Sequence, residues 1–134
     1  MEWLRISTSS MMLRVSTDEV VCVRADGNYC DIMLSNGKSR TLTFQLHFFE
    51  EIFQQLHKNT FIRVGRSLIV NKRYIHFINL TEQQLELYGG NLREVIVFSG
   101  LPRVDKSIQC VSLSRDVLKQ LKEMLEEEKG VENE

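Results

Sequence analysis

Ahead of residue 114, only one segment repeats its apolar residues at spacings of three and four. Almost every other stretch is a short β-favouring run closed by a turn signal. That imbalance limits the folds open to the chain. With a single helix inside the run of strands there is no material for regular βαβ crossovers, so the sheets should be small, mainly antiparallel and joined by hairpins. Residues 3–7 and 11–15 alternate apolar and polar about a Ser-Thr-Ser-Ser break and predict a hairpin. Residues 20–25 form a near-continuous apolar run, the pattern of a buried strand. At Asp26-Gly27-Asn28 the chain should turn, Gly taking positive φ and Asn or Asp tolerating the left-handed region. Residues 29–34 alternate again, and Ser35-Asn36-Gly37 predicts a type I′ turn returning through 40–44.

The helical segment is Leu46, Phe49, Ile52, Phe53 and Leu56, with Glu50, Glu51, Gln54 and Gln55 opposite. Thr43 is the expected cap. A second run of strands follows at 61–64, 68–70, 74–80, 85–88, 95–98 and 108–113, broken by Gly65-Arg66-Ser67, Gly89-Gly90-Asn91 and the loop around Pro102. Ser114 should cap a last helix with Asp116 in its first turn and Val117, Leu118, Leu121 and Leu125 on its apolar face. The expected fold is mainly β, with stacked small antiparallel sheets, one short amphipathic helix and a C-terminal helix.

At 134 residues the chain reads as one domain over 1–128, with 129–134 as a disordered acidic tail. No uninterrupted apolar stretch approaches the ~18 residues of a membrane span, and no secretory signal opens the chain. Cys22, Cys30 and Cys110 are odd in number, lie in strand-like contexts and form no CxxC, which suits buried reduced thiols in a cytoplasmic protein. His47, His57 and His76 show no ligand spacing, so no metal site is expected. There is no GxxxxGK[ST] loop and no G-x-S-x-G elbow. No cofactor, catalytic residue or enzyme activity is expected.

Charge is unevenly distributed. Residues 123–134 hold six acids against Lys129, leaving residues 1–122 with 16 cations and 12 anions. Between Glu51 and Glu82 there are 30 residues with no Asp or Glu, including Lys58, Arg63, Arg66, Lys72, Arg73, His57 and His76. Unbalanced cations over that length raise a local positive potential that attracts a polyanion; a run of cations on a solvated strand is the alternative. Arg66, beside Gly and Ser, can fork onto guanine O6 and N7 or onto phosphate, or form a weak surface ion pair. Asn28 suits adenine or a left-handed turn. Ser67 and Asn71 can hydrogen-bond a DNA backbone or fix their own loop.

Three motifs in order carry a family resemblance: Ala25-Asp26-Gly27-Asn28-Tyr29 after an apolar strand, the segment from Phe61 to Asn71 (FIRVGRSLIVN), and Ser114-Arg115 before a helix. Together, over roughly residues 12–122, they resemble the LytTR family of bacterial DNA-binding domains. The resemblance implies double-stranded DNA as partner, with loops rather than a recognition helix presented to it. It assigns DNA contact to the positions of Asn28, Arg66 and Arg115, and Arg63, Ser67, Asn71, Lys72 and Arg73 complete the expected site. Many members carry His where Gly65 stands, and the 89–106 segment is longer than the usual connection. No receiver domain precedes residue 1, so a stand-alone regulator or control by a partner sensor or regulator in trans is expected. A homodimer on DNA stays open. The rival reading is an interaction module of this fold that has lost DNA binding and modulates a full-length regulator.

Overall fold

The computed structural model describes residues 2–56, 59–128 and 130–132. Its elements run β1 (Trp3–Ser7), β2 (Met12–Ser16), β3 (Val20–Asp26), β4 (Tyr29–Leu34), β5 (Ser39–Leu42), α1 (Leu46–Leu56), β6 (Phe61–Val64), β7 (Leu68–Asn71), β8 (Ile75–Asn79), β9 (Gln84–Leu87), β10 (Ile96–Ser99), β11 (Ile108–Cys110) and α2 (Arg115–Glu126). The mainly β architecture expected from the patterning is present. The strands build a five-stranded sheet in the order β5-β4-β3-β7-β6, a four-stranded sheet β11-β10-β9-β8, and the separate β1-β2 hairpin.

The five-stranded sheet is the middle layer, apolar on both faces. On one face Val20, Val23, Cys30, Ile32, Leu42 and Ile69 pack with Leu4 and Ile6 of the hairpin and with Phe49 and Phe53 of α1. The other face presents Val21, Cys22, Val64, Leu68 and Val70 to Leu85, Leu87 and Phe98 of the four-stranded sheet and to Leu118 and Leu121 of α2. β7 obeys the two-residue period, Ile69 pointing one way and Leu68 and Val70 the other. β3 does not: Val21 and Cys22 both join the second core. A bulge between Val20 and Cys22 resets the period, and both strands read as continuous rather than alternating because both faces of the sheet are covered.

Several local expectations change. The helix α1 starts at Leu46, with the Gln45 carbonyl accepting the Phe48 N–H, so Thr43 does not cap it. At the β4–β5 turn Gly37 alone has positive φ. The Gly37 N–H donates to the Leu34 carbonyl and Leu34 N–H to Lys38, which makes a three-residue loop with a left-handed glycine, not type I′. β10 and β11 pair in parallel through a short helix-free connection. At the end of β10, Gly100 lies against the chain that follows β11: a Cβ there would lie 1.8 Å from the Leu113 carbonyl oxygen. The Ser99 hydroxyl then brackets the loop, donating to the Leu101 carbonyl at 2.9 Å and accepting its N–H at 3.1 Å. Of the expected acidic tail, residues 130–132 are exposed without regular structure, while 129, 133 and 134 lie outside the described residues.

The cysteines divide. Cys22 and Cys30 are buried, and burial pushes both thiols up from their ordinary pKa, whereas Cys110 is exposed, against the expectation that all three are buried. A thiol-specific reagent at mildly alkaline pH should therefore modify one cysteine rapidly in the native protein, Cys110, and the other two only in denaturant. Fast native labelling of Cys22 or Cys30 would contradict this packing.

Candidate nucleic-acid interface

Three connections meet at one end of the central sheet. The β3–β4 turn is Gly27-Asn28, and Gly27 carries the positive φ of 62°. Asn28 has no left-handed backbone, so its side chain is not needed to stabilise one and it stands exposed. The β6–β7 turn is Gly65-Arg66-Ser67, closed by the Val64–Leu68 pair. Because β3 runs antiparallel to β7, with Arg24 opposite Leu68, the two turns share one edge of the sheet. The Ala25 N–H donates to the Ser67 carbonyl at 2.7 Å and ties them. The third connection is the start of α2, where Ser114 accepts the Val117 N–H at 3.2 Å and Arg115 opens the first turn.

Gly65 brings the third connection to the other two. Its φ is 73°, and a Cβ there would lie 2.8 Å from the Ser112 carbonyl oxygen, so the backbone approaches more closely than any side chain allows. Asn28, Arg66 and Arg115 are all exposed at this end. Among the described residues none of their side chains has a hydrogen-bond or ion-pair partner.

Two further arginines serve as framework here. Arg63 bends back over the turn that follows it. Nε donates to the Gly65 carbonyl at 3.1 Å, Nη2 to the Arg66 carbonyl at 3.0 Å, and Nη1 meets Glu50 of α1 at 3.2 Å. A planar fork spanning two successive carbonyls and a carboxylate fixes the base from which Arg66 projects. Arg24 was not among the expected site residues. From β3 it donates Nη1 to Gln109 Oε1 at 2.9 Å, joining the five-stranded sheet to the four-stranded one just beneath the turns. Its only sequence signal is an arginine inside an apolar run. The Ser67 hydroxyl is buried without a partner among the described residues and points inward, not out.

The remaining expected residues lie elsewhere. From Ser67 to Lys72 the extended chain covers about 16 Å, which carries it to the opposite end of the sheet. Asn71 is fully buried. Its amide donates to the carbonyls of Val20 at 2.9 Å and Thr17 at 3.4 Å, and its oxygen accepts the Arg73 N–H at 3.1 Å. It satisfies carbonyls inside the fold and is not available to a DNA backbone. Lys72 pairs with Glu128 beyond the end of α2 at 2.7 Å, and Arg73 lies 3.7 Å from Asp18 while its guanidinium stacks over Tyr74. The acid-free window is therefore split between two ends of the sheet, and at the far end acids from distant parts of the chain offset it. Lys58 and His57 lie outside the described residues.

Among the described residues no three His, Cys, Asp or Glu side chains are grouped to hold a metal, and no helix is long and apolar enough to cross a membrane.

Comparison with known proteins gives the family and the fold. Residues 10–100, more than half of the chain, match the profile of the LytTr DNA-binding domain. That span includes Asn28 and Arg66 and stops short of α2 and Arg115. Among solved structures, a LytTr DNA-binding domain from Bacillus cereus is similar to this chain at 20% identity and a TM-score of 0.59, over 92% of this chain and 95% of the other. At that identity the likeness speaks for the fold. No curated protein matches the sequence.

The Arg63 tether makes a measurable demand. Losing two or three exposed charge-assisted hydrogen bonds removes on the order of 1–2 kcal/mol locally. Arg63→Ala should therefore raise amide hydrogen exchange across residues 65–67 by roughly tenfold while the amides of β3 and β4 keep their protection. Unchanged exchange in the turn would show that the fork does not hold it.

Proposed function

The chain belongs to the LytTr DNA-binding domain family, and we propose that it binds duplex DNA sequence-specifically as a bacterial transcriptional regulator. In this reading Arg66 and Arg115 read or lock onto base edges, and Asn28 reaches an adjacent base or phosphate. The loops enter successive major grooves at repeated short sites, one copy of the protein to each. Arg63 and Arg24 act behind them, holding the turns that present them.

One observation carries the proposal. The approach of Gly65 to Ser112 sets Arg66 and Arg115, 49 positions apart in sequence, at one end of the sheet, their guanidinium groups without a partner among the described residues. Arginine in that condition has the geometry for bidentate contact with guanine O6 and N7 or with phosphate. The Asn28 amide has the donor and acceptor pair that adenine N6 and N7 require. Neither chemistry needs a cofactor.

The ion pairs at the far end favour a second reading. Lys72–Glu128 and Arg73–Asp18 neutralise part of the positive window. A module of this fold that has given up DNA, and instead modulates a full-length regulator in trans, would tolerate such pairing. Selection from random duplex DNA separates the two readings, since only a DNA reader enriches a sequence.

On the enriched site, Arg66→Ala and Arg115→Ala should each weaken specific binding about ten- to a hundredfold, from about 1–3 kcal/mol per lost bidentate contact. Melting temperatures should hardly move, because both side chains are exposed. Arg→Lys should rescue only in part, because an ammonium lacks the planar fork. Wild-type binding by both alanine variants would overturn the assignment of these arginines.

A further inference from the structure

The β1-β2 hairpin carries a second basic surface that the family assignment does not use. Residues 3–17 contain no Asp or Glu. In the hairpin register Leu4 and Ile6 turn into the core, while Trp3 and Arg5 on one strand and Met12 and Arg14 on the other face outward. Arg5 stands directly opposite Arg14. Neither has an ion-pair partner among the described residues. The Arg14 guanidinium lies 4.0 Å from the centre of the Trp3 ring, a cation–π stack that holds its plane in place. Like charges directly across a strand pair disfavour the pairing, and an anion set between them reverses the sign of that interaction.

The position of this face indicates which anion. The hairpin tip, Thr8 to Met11, lines a cavity of about 350 Å³ with Tyr29, Thr41 and Phe44. Tyr29 directly follows Asn28, so the hairpin tip stands beside the turn at the candidate interface, with Arg5 and Arg14 about 10 Å back along the strands. In the proposed function a duplex lying across that end would extend past the bases the loops reach and carry its sugar–phosphate backbone toward the hairpin.

We infer that the outer face of the β1-β2 hairpin is a second, sequence-independent contact surface, on which Arg5 and Arg14 bind phosphates of the duplex flanking the bases read by the loops. The inference rests on the proposed DNA-binding function. Arginine forks fit phosphate oxygens, and each phosphate neutralised releases condensed counterions, so the contact should show in the salt dependence of binding.

The test compares wild-type protein with Arg5→Gln/Arg14→Gln on two duplexes. One contains the selected site alone; the other extends about two helical turns of ~10 base pairs beyond it on each side. On the long duplex the double variant should bind about tenfold more weakly at low salt, and its slope of log K against log salt should be shallower by about two. On the short duplex the two proteins should bind alike. Arg5→Lys/Arg14→Lys, which keeps the charge, should regain most of the slope. Melting of all three proteins reports folding. A wild-type slope and affinity on the long duplex would overturn the hairpin contact while leaving the loop site standing. Equal losses on both duplexes would also overturn it, since the hairpin would then be acting on the loops. If wild-type protein enriches and binds no duplex, the proposed function and this inference fall together.

Discussion

The close approach of the Gly65 backbone to the Ser112 carbonyl is the contact on which the arrangement of the candidate interface depends. It requires a residue without Cβ and with positive φ, and both conditions hold at this position. Through it the β6–β7 turn, carried by the middle sheet, meets the segment that leads into α2. The Arg63 fork and the Ala25–Ser67 hydrogen bond then fix the turn from its other sides. At this position the chain places the glycine its own packing demands. One side chain is given up there, and a rigid base for Arg66 results.

Features set by near neighbours were legible in the sequence. The spacing of Leu46, Phe49, Phe53 and Leu56 located α1, the Ser114 cap and its apolar stripe located α2, and alternation located both early hairpins. Asn36-Gly37 marked a turn correctly, but its type depended on one extra loop residue that the dipeptide does not reveal. The parallel pairing of β10 with β11 was hidden for a similar reason: a short connection normally signals a hairpin, and here it crosses over without a helix. Cys110 looked like its two buried counterparts because a three-residue strand alternates too briefly to show which side is wet.

The candidate site was legible in part. Its motifs marked Asn28, Arg66 and Arg115, and the fold brings them to one end. Charge counting along the chain could not show that the acid-free window spans both ends of a strand, or that Glu128 and Asp18 would come back to meet Lys72 and Arg73. Asn71 looked like a surface amide. The bulge-bearing β3 and the turn before it leave carbonyls in the interior that need a donor, and Asn71 supplies it. Arg24 was missed because a strand arginine that bridges two sheets has no local signature. In each case the deciding partner lies far away in sequence.

The basic residues divide between an end proposed to meet DNA and an end where Asp18 and Glu128 pair them, and backbone amide chemical shifts followed during titration with the selected duplex separate the two. Large changes are expected on residues 27–29, 65–67 and 112–116, while residues 71–73 and the last turn of α2 stay nearly unchanged. Large changes confined to 71–73 and the end of α2, with the 65–67 turn silent, would contradict this division.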